Sequence, residues 1–321
     1  MPNRTRALFR PEMVAARHLG VLMITVLLLT TGCGMFSDRR TNRQVIKASL
    51  PDFDRGSLIN RALFFPYENA SQRVGGLNLH AFHQKIITIL QNDCKGLKLL
   101  TADDPAAAAL MARLAGYLSA GDSIGFSEAA RGAGIAAMVT GRIADVAAEE
   151  RSWGIWWFTN NDYYLNVQVD TTIYDVETGA KTIDVSLSED IKIDGLEYDA
   201  MTIGQTDDIA EVEKLLDELA KDSAERACKA LSKQPWIGFV TAVDKDRVTF
   251  VPGSAAGLTA GMKLNIYGSG TLLEGANGKP YFVPGLQRAG IEVVSVAPDQ
   301  AYARILSGSM VAQGDSVRLI K

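Results

Sequence analysis

The chain has 321 residues, 47% hydrophobic and 22% charged, the balance of a folded globular protein with room for two domains after a leader is set aside. A formal net charge of −4 with no long basic run excludes nucleic acid as the main partner.

The first segment reads as an export signal. Arg4, Arg6, Arg10 and Arg17 precede an apolar run from Leu19 to Leu29, broken only by Gly20 and Thr25, and Thr30, Thr31 and Gly32 then lead into Cys33. That run falls short of the roughly 20 apolar residues a transmembrane helix needs. Met13 would open a more compact leader than Met1 does. The junction resembles a lipobox, in which a small residue precedes the cysteine that receives lipid and becomes the mature N-terminus; Thr30 stands where that family usually carries Leu. The resemblance implies a signal over residues 1–33 with lipidation at Cys33. Gly34 in the next position implies, by likeness to enterobacterial lipoproteins, the periplasmic face of the outer membrane. Residues 34–57 are polar, with Asp38, Arg39, Arg40 and Arg43, and read as a tether.

Residues 59–66 form a predicted strand ended by Pro66. Leu77, Phe82, Ile86, Ile87 and Leu90 recur at helical spacing, which predicts a helix from Leu77 to Cys94. A short strand follows at Leu97–Leu100, then helical stretches over 105–118 and 127–132, then a strand from Met138 to Val146. Trp153-Gly-Ile-Trp156-Trp157-Phe158 reads as an aromatic loop, and Tyr163 to Val176 as an alternating strand. Asp175-Val-Glu-Thr178-Gly179 has the composition of a hairpin turn into a strand over Lys181–Ile193. A long helix from Asp207 to Ser232 carries an apolar stripe of Ile209, Val212, Leu216, Leu219, Ala227 and Leu231, with Asp217–Lys221 and Glu225–Lys229 as expected i,i+4 ion pairs. Cys94 and Cys228 each sit in a predicted helix among apolar neighbours. Two buried thiols is the simpler reading, and a disulfide is the alternative in an oxidising compartment.

Pro235 ends the helical regime. Six short strands are predicted, at Ile237–Val243, Arg247–Val251, Met262–Tyr267, Gly290–Val296, Ala301–Leu306 and Ser316–Ile320, separated by turns; this spacing predicts a small closed barrel. The expected organisation is α+β: an α/β domain over 58–233 followed by an SH3-like β-barrel over 236–321.

Three pieces of the first domain carry a resemblance: Ala62-Leu-Phe-Phe-Pro66 with Glu68-Asn69, Met138-Val-Thr-Gly-Arg-Ile143, and Asp175-Val-Glu-Thr-Gly179. In order and spacing they are similar to the α/β unit shared by the TolB N-terminal domain, the curli secretion channel protein and the penicillin-binding-protein activator lipoproteins. In the second domain, Gly253-Ser254-Ala-Ala-Gly257-Leu258-Thr-Ala-Gly261-Met262 and Gly314-Asp315-Ser316-Val317 resemble the C-terminal domain of the flagellar assembly protein T. The likeness implies a non-enzymatic lipoprotein, anchored to the membrane by its lipid, that acts as a scaffold or assembly factor among envelope or flagellar proteins, with a homo-oligomeric ring as one arrangement. The activator family implies an alternative, activation of a peptidoglycan synthase. The curli protein implies another, a secretion channel subunit. In that protein the place of the aromatic loop holds a membrane-spanning hairpin, but Glu149 to Asn161 is too short for one and does not alternate.

Catalytic patterns fail on context. Gly121-Asp-Ser123-Ile-Gly125 matches G-x-S-x-G, yet helix-like residues precede the serine where a strand is required, and no histidine follows His83. Gly132-Ala-Gly134-Ile-Ala-Ala137 closes a helix, whereas a dinucleotide fingerprint opens one. His80 and His83 lack further ligands for a metal, and no cofactor is expected. Glu149–Glu150 and Glu189–Asp190 are adjacent acids whose side chains diverge on a strand. The informative residues are Trp153, Trp156, Trp157 and Phe158. They either fold back on the domain or form a docking surface for a partner or a membrane interface.

Overall fold

A computed structural model describes residues 58–320 apart from 72–76, 78, 205–208, 276–277 and 279. The signal, Cys33 and the tether lie outside the described residues.

The chain folds as an α+β protein. Its first part runs β1 (Asn60–Phe64), β2 (Glu68–Asn69), α1 (Leu79–Asp93), β3 (Leu97–Leu100), α2 (Pro105–Ser119), α3 (Ser123–Arg131), β4 (Ala137–Ile155), β5 (Phe158–Asp175), β6 (Lys181–Ile193), α4 (Gly195–Thr202) and α5 (Ala210–Leu231). The sheet order is β3-β1-β4-β5-β6, with β2 beside β4. Strand β1 is parallel to both β3 and β4, while β4, β5 and β6 form an antiparallel meander.

Burial on both faces fixes this sheet. Alternate residues Ala62 and Phe64 of β1, and Leu165, Val167 and Val169 of β5, join a core with Phe82, Ile86 and Leu90 of α1 and the apolar stripe of α5. Leu63 and Met138 point the other way, into a second core with Leu110, Met111 and Leu114 of α2 and Phe126 of α3. Helix α2 begins where Asp104 accepts hydrogen bonds from the Ala106 and Ala107 amides, with Pro105 in the first turn.

Three local expectations are corrected. Cys94 and Cys228 are joined by a disulfide, because Cys94 follows the last residue of α1 and the final turns of α5 pack beside it, leaving the Cα atoms 5.4 Å apart. Asp217 pairs with Lys85 of α1 at 3.0 Å, and Lys221 reaches Glu225 at 3.9 Å, so the expected Asp217–Lys221 pair gives way to a contact between helices. Helix α4 went unread: it follows a capping box in which Asp194 accepts from the Leu196 and Glu197 amides while Glu197 accepts from the Asp194 amide.

The second part is a closed barrel, as expected from the six strands. β7 (Gly238–Asp244), β8 (Arg247–Val251), β9 (Lys263–Tyr267), β12 (Gln287–Val296), β13 (Ala301–Gly308) and β14 (Ser316–Leu319) close in the order β12-β13-β8-β7-β14-β9. Trp236, Val240, Phe250, Leu264, Ile266, Ile291 and Val317 fill the interior. A small hairpin of β10 (Thr271–Glu274) and β11 (Pro280–Val283) stands outside the ring, and its mostly exposed residues gave the sequence no one-sided pattern to read. The two glycine motifs have structural reasons. A Cβ on Gly253 would stand 2.1 Å from the Ala297 carbonyl oxygen. Asp315 is fully buried and accepts from the Ser269 and Ala312 amides at 2.9 Å and from Arg288 at 3.0 Å.

The barrel seats on the first strand of the sheet. The Asn60 side chain donates to the Pro235 carbonyl and accepts from the Ile237 amide. Arg61 pairs with Asp299, Arg318 pairs with Glu177, and Ile237 and Phe239 enter the second sheet core.

Candidate functional site: an aromatic finger

Strands β4 and β5 stay paired from Ala137–Asp175 out to Ile155–Phe158. The segment expected to be a loop is therefore the end of one long hairpin, closed by the two-residue turn Trp156-Trp157. Sequence reading missed it because the turn has none of the Asn, Asp or Gly that a two-residue loop favours. Strand β6 supports β5 only as far as Tyr163, which pairs with Ile193, and α4 braces the same point by stacking Tyr198 on Tyr163 at 4.5 Å.

Beyond that brace, five cross-strand pairs from Arg151–Asp162 to Ile155–Phe158 stand as a bare ribbon. At about 3.4 Å per residue it projects roughly 17 Å. Every residue from 149 to 161 is exposed.

The register sorts the side chains. Paired residues share a face and successive residues alternate, so Trp153, Ile155, Phe158 and Asn160 lie on one side and Ser152, Gly154, Thr159 and Asn161 on the other. The turn resets the parity between the two arms and so gathers these apolar residues on one face, but Asn160 on that face leaves the stretch short of the alternation a spanning hairpin needs. Trp156 and Trp157 sit at the end with ring centroids 4.5 Å apart, and Trp157 lies 5.9 Å from Phe158. Trp153, Ile155, Trp156, Trp157 and Phe158 are between 58% and 87% exposed. Together they present apolar surface on the order of 500 Å², at the upper end of what a monomer leaves in water.

The finger also holds strain. Trp156 has φ 59°, a conformation that a bulky residue adopts at a cost of roughly 1–3 kcal/mol. Gly154 has φ 123°, and a Cβ there would stand 1.8 Å from the Phe158 carbonyl oxygen, so the close approach of the arms requires glycine.

A charged collar rings the base. Arg151 pairs with Asp190 at 2.7 Å and Glu149 at 3.3 Å and lies over the Tyr164 ring, while Lys192 pairs with Asp162 at 2.6 Å. Glu149 and Asp190 thus meet on one cation. Exposed pairs of this kind contribute about 1 kcal/mol at most, so the collar is a solvated boundary more than a clamp.

The other candidates fall elsewhere. Ser123 opens α3 directly after α2, with Asp122 accepting from the Gly125 amide as its cap, a setting unlike the strand-to-helix elbow of a serine nucleophile. His83 is within hydrogen-bond distance of the Tyr67 carbonyl and packs edge-on to Phe64 and Phe82, and burial pushes its imidazole below the usual range. His80 is exposed. Gly134 carries the positive φ in the turn between α3 and β4. Among the described residues no cluster of three or more His, Cys, Asp or Glu is placed to hold a metal.

No protein-family model matches the chain, and no curated protein matches it. Among solved structures it is similar to the hypothetical protein CT253 from Chlamydia trachomatis, with 11% identity over 54% of this chain and 98% of that one and a TM-score of 0.35. It is also similar to lipoprotein GNA1162 from Neisseria meningitidis (13% identity, 50% and 99% covered, TM-score 0.29) and to a minor lipoprotein from Acinetobacter baumannii (10% identity, 54% and 92% covered, TM-score 0.26).

Proposed function

We propose that this chain is a non-catalytic lipoprotein, anchored through Cys33 at the periplasmic face of the outer membrane, that serves as a scaffold or assembly factor for an envelope complex and docks through Trp153, Trp156, Trp157 and Phe158. One observation carries the reading: a projecting hairpin whose aromatic end none of the described residues covers. The Cys94–Cys228 disulfide supports an exported, oxidising setting, where such bonds persist. A flagellar or secretion ring is the first complex to examine, because the glycine motifs of the barrel resemble those of the flagellar assembly protein T.

The test is crosslinking of the chain to envelope complexes in intact cells, comparing the wild type with W156S/W157S. The double variant should fold and melt like the wild type yet leave the complex. Crosslinking equal to the wild type would overturn docking through the finger, and labelling of Ser123 by a fluorophosphonate probe would overturn the non-catalytic assignment.

A further inference from the structure

We propose that the finger's occupant is a lipid bilayer, entered only to the depth of the headgroup and upper acyl region of one leaflet; this rests on the docking reading above and names its partner. Three of the chain's four tryptophans stand on the finger, together with Ile155 and Phe158, and no charged residue lies between Arg151 and Asp162. Tryptophan is the side chain that favours this zone, with an apolar ring and an N–H that still finds water.

Depth follows from length and hydrogen bonding. The uncharged part of each arm is four residues, Ser152–Ile155 and Thr159–Asn161 with Phe158, against the 9–11 that a spanning strand needs. At about 3.4 Å per residue this reaches roughly 14 Å, half the hydrocarbon core at most. Among the described residues no further strand lies beside the outer edge of either arm, so those backbone groups need water or headgroups and would be costly in hydrocarbon. Asn160 and Asn161 fit the same intermediate depth. The collar then stops at the headgroups.

The collar also sets which lipid. Glu149, Glu150, Asp162, Glu189 and Asp190 outnumber Arg151 and Lys192, so the base does not attract an anionic surface, and insertion is driven by the aromatic end alone. The anchor at Cys33 supplies the encounter. The 24 residues of 34–57 span at most about 80 Å when extended, enough for lipid and finger to share one bilayer.

Quenching by brominated lipid tests this on the full lipidated chain. The chain is placed in phosphatidylcholine vesicles with or without bromine on the upper acyl carbons, and tryptophan emission is read. Most of the emission from the finger should be lost in the brominated vesicles, and no more of it when phosphatidylglycerol is added. The W153F/W156F/W157F variant retains only Trp236, 1% exposed inside the barrel, and its emission should not respond. Unquenched emission from wild-type chain that still floats with the vesicles would overturn the proposal. If W156S/W157S then also leaves its complex, the occupant is a protein and the docking reading survives. If that variant stays, both fail.

Discussion

Trp156 sits at the first central position of a two-residue hairpin loop, where positive φ makes glycine the favoured residue. A tryptophan there gives up local stability for an exposed ring, the kind of departure that marks a functional position. W156G should therefore raise the stability of the protein by about 1 kcal/mol in chemical denaturation while weakening docking. A variant that loses both would place Trp156 in the structural core of the hairpin. A second residue-scale consequence concerns Asp175, the last residue of β5 before the turn into β6. Its carboxylate accepts from the Thr178 amide and hydroxyl, but burial, and then Glu177, push it up to about 6. A folded-state value above the unfolded one means that this group's stabilising contribution is complete below about pH 4 and is lost as pH rises through 6. Denaturation midpoints of D175N should fall less than those of the wild type between pH 4 and 6. Parallel profiles would remove Asp175 as the cause.

At the scale of elements, what could be read depended on whether burial was one-sided. The stripe from Ile209 to Leu231 and the barrel strands β8, β9, β12 and β13 each bury one face more than the other, so period revealed them, whereas β7 and β14 do not alternate and were legible from the turns that bound them. The finger, β10–β11 and α4 lie largely outside any core, and period is silent where nothing is buried. The finger was legible as composition and illegible as geometry: Trp156 and Trp157 marked it, but their place in a turn and the register that puts Trp153, Ile155 and Phe158 on one face come from strand pairing that begins at Ala137. A capping box, Asp194 with Glu197, was in the sequence and would have found α4. The disulfide needed tertiary packing, since 134 residues separate its cysteines. Closing a loop of that length restricts the unfolded chain, and the double variant C94S/C228S should lose about 2–5 kcal/mol of stability. Equal midpoints for the wild type with and without reductant would show that the bond contributes nothing.

For the whole molecule, the barrel and the sheet share a core through Ile237 and Phe239 and are tied by Asn60, so the finger projects from a braced body and not from a loose module. On the proposed reading, such a body would present its aromatic end to the membrane that a lipid at Cys33 enters. That pairing of anchor and finger is most directly tested by placing a photoactivatable amino acid at position 156 in growing cells, with position 302, an exposed barrel residue, as the reference. Position 156 is expected to give lipid adducts and position 302 few. A finger as inert as the barrel surface would contradict docking.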